Sequence, residues 1–317
     1  MSPINRKALL SFVLGLLAVP TNVLTGLPAL AIGLIGLREI NIAEGRERGR
    51  WMCVVGIVMG ILVVVSDIVA LGAYVVLQRR YASALYACQY NLKQLSDAVE
   101  MYESHRGIFP PGTVANASLR PAQRLSWLVS LLPYYVDLES QRRKVAPSAT
   151  SLFEVYVGID PNRAWDDPAN REATARVLGQ FVCPSHPAFA GTPSLGPTYY
   201  VGISGIGSNA AELPLSDPKC GLFGYDREVL RDDVQRGASY TMIACETSWQ
   251  NGPWAQGGFA TVRGLDPNDL PYTGRGRPFG GLHPDTTNRL FADGSVQAFH
   301  DTGSAKEFAT LATLKGD

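Results

Sequence analysis

Apolar residues along this chain follow two different rules. From Ala8 to Leu37 no charged residue occurs, and a second charge-free run from Trp51 to Ser66 resumes after the single acid Asp67, from Ile68 to Leu77. Both stretches exceed the roughly 20 residues a helix needs to cross a bilayer. As one helix the first would be about 45 Å long at 1.5 Å per residue, well beyond a hydrocarbon core of about 30 Å. Its middle, Pro20-Thr21-Asn22-Val23-Leu24-Thr25-Gly26, reads as a turn. The pattern therefore predicts an apolar helical hairpin over residues 8–37, crossing fully or re-entering from one side. A basic link over 38–50 and a membrane helix over 51–77 follow.

After Arg80 the period changes. Leu92, Leu95, Val99 and Tyr102, supported by Ala98 and Met101, fall at helical spacing with no breaker before Gly107. The stretch predicts an amphipathic helix that ends at His105-Arg106-Gly107-Ile108-Phe109-Pro110-Pro111, where the glycine supplies a C-cap. Short strand-like runs come next, at Phe181-Val182-Cys183, Tyr199-Tyr200-Val201, Tyr240 to Ala244 and Leu290-Phe291-Ala292, with a helical segment from Arg163 to Leu178. Asp293-Gly294 predicts a two-residue type I′ hairpin with positive φ at both turn positions and Phe291 opposite Val296. The fold class expected is α+β: membrane helices over residues 1–80, then over 81–317 a long helix packed on a small antiparallel sheet with extended loops.

Composition narrows the function classes. Of 317 residues 46% are hydrophobic, which excludes a disordered chain, and 28 basic residues balance 28 acidic ones, so no nucleic-acid partner is expected. The balance is uneven along the chain, with 8 Lys/Arg against 4 Asp/Glu up to Arg80 and 20 against 24 beyond it. Arg38, Arg46, Arg48 and Arg50 mark the link as cytoplasmic, and Arg6 and Lys7 ask for the same side. An even number of crossings in the hairpin satisfies both. The expectation is a multi-pass protein of the cytoplasmic (inner) membrane whose body after Arg80 is extracytoplasmic, although Arg79 and Arg80 oppose that orientation. A cleaved signal peptide over residues 1–31, ending at Ala29-Leu30-Ala31, is the competing reading. Asp67 reads either as a functional intramembrane acid or as one that faces the hairpin or snorkels outward.

Specific motifs then add a resemblance. Cys88-Gln89-Tyr90-Asn91-Leu92-Lys93-Gln94-Leu95, then Tyr102, Gly107 and Phe109-Pro110-Pro111-Gly112, resemble the opening of a large bacterial family of unknown function with pseudopilin G-like domains. Trp127-Leu128, Leu131-Leu132-Pro133-Tyr134, Cys183-Pro184-Ser185 and Tyr199-Tyr200-Val201-Gly202 follow in the family's order. Last comes His283, nine intervening residues, and Asp293-Gly294. The resemblance covers roughly residues 82–300 and implies a type IV pilin-like or type II secretion pseudopilin-like architecture. The membrane head resembles a short bacterial membrane-hairpin domain. The basic residue, Gly-Phe-Thr-Leu and glutamate with which such pseudopilin-like chains usually begin do not occur, so prepilin-peptidase cleavage is not implied.

Four cysteines, Cys88, Cys183, Cys220 and Cys245, lie in the expected extracytoplasmic body, where an even number suggests disulfides; four reduced, buried thiols are the alternative. Three connectivities are open to the sequence. The family pattern has a cysteine at both the Cys88 and the Cys183 motif, which implies that pair; Cys220 with Cys245 is the second pair expected.

No catalytic residue, cofactor site or metal ligand is assigned from the residues. His283 and Asp293 could act jointly, but an extended run from 288 to 292 at about 3.3 Å per residue holds them some 17 Å apart. His283 is expected to anchor the loop entering the hairpin, and Asp293 and Gly294 to set its register. An alternative brings His283, Asp285, His300 and Asp301 together at the hairpin base around a divalent metal. Gly202 to Gly207 lacks the phosphate-loop lysine and reads as an ordinary loop. Trp249, Trp254 and Phe259 suggest either a ligand groove or aromatic packing. His105 and His186 receive no role. The function expected is a membrane-anchored, pseudopilin-like structural or interaction protein of a secretion or cell-surface assembly, with protein partners in the envelope and no catalysis. An extracytoplasmic ligand- or metal-binding module is the alternative.

Overall fold

A computed structural model describes residues 3–21, 23–44, 47–185, 195–281, 283–301 and 303–316, with the side chains of residues 19–21 and 23 excepted. The chain divides into two compact units, Met1–Arg80 and Tyr81–Asp317.

The first unit comprises α1 (Arg6–Thr21), α2 (Val23–Ile42) and the opening half of α3 (Arg50–Arg106). Helices α1 and α2 form the expected hairpin, although Asn22 of the expected turn lies outside the described residues. Small residues line the inside: Ser11 and Gly15 on α1, Gly26 and Gly33 on α2, Gly56 and Gly60 on α3 are all buried. A Cβ on Gly60 would sit 2.6 Å from the Gly26 carbonyl oxygen, and one on Gly15 2.9 Å from the Gly56 Cα. The backbones therefore touch where side chains would ordinarily keep helices apart. The Ser11 hydroxyl donates to the Ala29 carbonyl at 2.8 Å, inside the same seam. The large apolar side chains point outward, among them Leu10, Leu16, Leu27, Leu34, Val58 and Leu62. This inverts the arrangement of a water-soluble bundle. Two helical stretches, Leu24–Ile42 and the one that opens at Arg50, are long and apolar enough to cross a membrane.

In the second unit the continuation of α3 buries Leu92, Leu95, Ala98 and Val99, the stripe expected from their spacing. The helix stops at Gly107, which has φ +75° and donates its N–H back to the Glu103 carbonyl. Short helices follow, α4 (Trp127–Ser130), α5 (Leu132–Arg143), α6 (Phe153–Val157) and α7 (Arg171–Thr174). The sheet has five strands among the described residues: β1 (Tyr200–Ile206), β2 (Met242–Glu246), β3 (Val262–Leu265), β4 (Thr286–Phe291) and β5 (Val296–His300). Their order is β3-β1-β2-β4-β5, and α8 (Ala305–Thr310) closes the unit. The β1–β3 pair is parallel and the rest are antiparallel, so the sheet is mixed where an antiparallel one was expected.

Alternation along β1 and β4, with a register shift in β2 that puts Ile243 and Ala244 on one face and Met242 and Cys245 on the other, splits the interior in two. Tyr200, Ile243 and Leu290 join the α3 stripe, Trp127 and Phe223 on one face; Val201, Met242, Cys245, Phe291 and Phe299 pack with Phe279 and Phe308 on the other. One expected element is short and another does not form a strand. Only four residues of 163–178 form a helix, because Asn170 accepts the Asp160 N–H and donates to the Asp160 and Ala164 carbonyls, diverting the backbone into turns. Phe181 ends a 3₁₀ turn, and the Val182-Cys183 stretch after it pairs with no strand among the described residues.

The hairpin also differs in detail. Leu290 pairs with Val296, and the Phe291 N–H donates to Ser295, so Phe291 lies opposite Ser295. The Gly294 N–H closes a turn onto the Phe291 carbonyl at 3.0 Å, and Gly294 alone has positive φ, +81°. This is a three-residue loop ending in a glycine bulge, in place of the expected type I′ turn. Asp293 needs no left-handed conformation there, because its carboxylate accepts the Ser295 N–H and hydroxyl at 2.9 and 2.7 Å.

Candidate functional site

Four segments distant in sequence meet where β2 ends and β4 begins. Cys88 comes from α3, Cys183 from the stretch after the 3₁₀ turn, Glu246 from the last position of β2 and His283 from the residue that bridges to Thr286 ahead of β4. All four are buried, and one donor atom from each lies within 4.8 Å of every other. Cys88 and Cys183 are at disulfide distance, with Cα atoms 5.5 Å apart. His283 Nε2 is 3.5 Å from Cys183 Sγ and 3.4 Å from Glu246 Oε1, and its Nδ1 is 3.3 Å from Ser185 Oγ.

A buried carboxylate is costly unless donors surround it. Glu246, 2% exposed, receives the Asn288 backbone N–H at 2.8 Å on Oε2 and the Asn288 amide at 3.0 Å on Oε1. Asn288 is held in turn by the Gln89 amide from α3 at 3.1 Å. Asn91, one helical turn past Cys88, donates to the Gly179 and Val182 carbonyls and so fastens the Cys183 segment to the helix. The Tyr200 phenol, buried against this region, is pushed far above its usual range by desolvation first and by Glu246 second. Chemically the cluster offers a disulfide or two thiols, an imidazole and a carboxylate, all buried.

The sequence-derived candidates distribute as follows. His283 bridges to Thr286 ahead of the hairpin, and its side-chain partners are Cys183, Glu246 and Ser185; Asp293 is at the hairpin's other end, occupied with Ser295. Among the described residues the metal set expected at the hairpin base does not gather: His283 groups with Cys88, Cys183 and Glu246, and His300 is exposed on β5. Asp301 accepts the Thr287 hydroxyl, and burial, with Asp285 and Glu246 nearby, pushes its carboxyl up. Cys220 and Cys245 are not joined: both are free and buried, Cys220 in the larger core and Cys245 across the sheet in the smaller one. Alternation along β2 sends Cys245 to the face opposite Ala244, away from Cys220. Burial raises both thiols, Cys245 strongly.

Gly202 to Ile206 lies within β1. Trp254 is buried and stacks on Phe181 at 5.7 Å. Trp249 and Phe259 flank the Arg263 guanidinium, which is 4.7 Å from the Phe259 ring and donates to Thr247, Pro278 and Gln250. The aromatic loops thus enclose an internal arginine, whose pKa burial lowers to about 10. His105 tilts against Tyr134, and His186 lies outside the described residues. Asp67 has a buried Oδ2 with no hydrogen-bond partner among the described residues. Glu246 was missed in the sequence, since only the β1-β2-β4 order brings it to His283.

A long helix laid on a mixed five-stranded sheet, with a buried Cys-Cys-His-Glu cluster at their junction, defines an α+β domain that follows an apolar helical unit. The chain belongs to the family of proteins of unknown function DUF1559 (SBP_bac_10), whose model matches residues 85–142 and 153–304. All four cluster residues fall inside the matched ranges. No curated protein and no solved structure matches the chain.

Proposed function

We propose that this protein is a membrane-anchored structural or interaction protein with a pseudopilin-like extracytoplasmic domain, acting in a secretion or cell-surface assembly through contacts with other envelope proteins and without catalysis of its own. The observation that carries the reading is the inverted packing of the first unit. Glycine, alanine and serine occupy the inside and exposed leucine, valine and isoleucine the outside. In water such a surface would aggregate; in lipid it is the lowest-energy arrangement, and close backbone approach supplies the packing that hydrophobicity no longer can. Arg38, Arg48 and Arg50 flank the apolar helices and favour a cytoplasmic link. The Cys88–Cys183 pair supports an oxidising location for the second unit.

The experiment is a pair of topology reporters, one in the 38–50 link and one after the last residue, combined with cross-linking and recovery of the protein from membranes in mild detergent. A cytoplasmic link, an extracytoplasmic C-terminus and reproducible envelope partners are expected. A cytoplasmic C-terminus, or release of the protein from membranes by alkaline carbonate, overturns the reading.

A further inference from the structure

The Cys88, Cys183, His283 and Glu246 cluster has the donor set and the spacing of a transition-metal site, and we propose that the dithiol form of this chain binds one Zn²⁺ there. A tetrahedral Zn²⁺ with bonds of about 2.3 Å to sulfur and about 2.0–2.1 Å to nitrogen and oxygen sets S···N edges near 3.6 Å and N···O edges near 3.3 Å. The observed edges are 3.5 Å from Cys183 Sγ to His283 Nε2 and 3.4 Å from His283 Nε2 to Glu246 Oε1. The other edges lie within 4.8 Å, and the two sulfurs must separate from bonded contact to about 3.8 Å, which a rotamer change of Cys88 supplies.

The surrounding groups are those that orient metal ligands. Ser185 Oγ lies 3.3 Å from His283 Nδ1; in the tautomer that carries its proton on Nδ1 it accepts that N–H, and the Nε2 lone pair is left for the metal. Asn288 holds the Glu246 carboxylate through two hydrogen bonds, and Gln89 holds Asn288. Two thiolates, a neutral imidazole and a carboxylate around Zn²⁺ leave one net negative charge, the same as the metal-free dithiol and carboxylate, so metal binding adds no net charge to the buried site. Half-buried Ser185 lies beside His283.

The two states interconvert with a balanced step. Both cysteines are thiols when the chain is made; Zn²⁺ binding displaces one proton from each. Transfer of two electrons from the bound thiolates to a disulfide-bearing exchange partner forms the Cys88–Cys183 bond, releases Zn²⁺, and leaves the partner as a dithiol that takes up two protons. The proposal is independent of the anchoring role, since it is read from metal content and not from location.

The test uses the full chain in detergent, prepared with a phosphine reductant and freed of metal, then titrated with Zn²⁺ and with Co²⁺ as a spectroscopic probe. One equivalent is expected to bind the reduced chain and none the oxidised chain. The Co²⁺ form should show a thiolate-to-metal charge-transfer band and the visible bands of a tetrahedral site. Cys183→Ser and His283→Ala should abolish the signal, and Ser185→Ala should weaken binding by about 10–100-fold. His283→Cys preserves four ligands and should retain the metal with a stronger charge-transfer band. The proposal is overturned by a folded, reduced chain that takes up no stoichiometric metal, by uptake that survives Cys183→Ser and His283→Ala, or by a His283→Cys protein of parental circular dichroism that binds none.

Discussion

Replacing Gly294 with valine tests how the β4–β5 hairpin is seated on α3. Gly294 has φ +81°, and a Cβ built on it lies 2.6 Å from the Ser96 hydroxyl, whose residue is 4% exposed. Two costs add. A β-branched residue held in the left-handed region costs about 1–3 kcal/mol. Displacing the buried Ser96 side chain adds about 1 kcal/mol, the lower end of overpacking penalties. The sum is about 3 kcal/mol, or roughly 6–12 °C of melting temperature for a unit of this size. Near-ultraviolet circular dichroism of the detergent-solubilised chain follows the melting of the aromatic core. In a Ser96→Ala background the contact part should disappear and the backbone part should remain, a coupling of about 1 kcal/mol in a double-mutant cycle. Gly294→Asn should cost less than Gly294→Ala, because asparagine tolerates the left-handed region. A Gly294→Val protein that melts with the parent refutes the positive φ. A penalty unchanged by Ser96→Ala refutes the seating on α3.

Cys183→Ala removes a link that spans 95 residues and should lower the stability of the second unit by about 4–5 kcal/mol on the chain-entropy account, read as a loss of denaturant midpoint; peptide mapping without reductant should recover Cys88 joined to Cys183 and free Cys220 and Cys245. Asp301→Asn should stabilise the second unit near neutral pH, because burial raises the folded-state pKa of this carboxyl, so stability present below the unfolded value of about 3.9 is lost as pH rises through the folded one. The difference in melting temperature should close on acidification, and a gap that is constant with pH contradicts the assignment. Arg263→Lys keeps the charge and loses the fork that serves Thr247, Pro278 and Gln250, and should cost about 2–4 kcal/mol in the same melt. Gly56→Val drives a side chain into the Ser11 backbone, 2.6 Å from its carbonyl oxygen, and should lower the thermal stability of the first unit in detergent, whereas Val58→Leu on the outside should not.

Features set by neighbours in sequence were legible before the structure. Leu92, Leu95 and Val99 are one turn apart and had to share a face, and Gly107 before two prolines had to end the helix. The hairpin was legible as a hairpin, but its loop was not, because Asp293 meets its needs by capping Ser295 and leaves only Gly294 left-handed. What depended on long-range order was hidden. The parallel β1–β3 pair joins strands far apart in the chain, and nothing in Val262 to Leu265 announces which edge it will take. Glu246 looks like an ordinary strand-end acid until β4 brings Asn288 to it and the loop before β4 brings His283. The segment 163–178 has helical spacing, yet Asp and Asn side chains compete for its backbone, and periodicity does not register that competition.

The covalent link at Cys88 also determines how the second unit bears load. Cys88 precedes Leu92, Leu95 and Val99 along α3, so tension applied to the helix from its N-terminal side meets the bond to Cys183 before it meets that apolar stripe. With the bond closed, force bypasses that stripe and enters the chain at residue 183, beside the β2–β4 junction. With the bond open, the same pull would peel the stripe away one residue at a time, beginning at Leu92. The oxidation state of two sulfur atoms thus decides whether the helix behaves as a fixed tether or as a strip that can be unzipped.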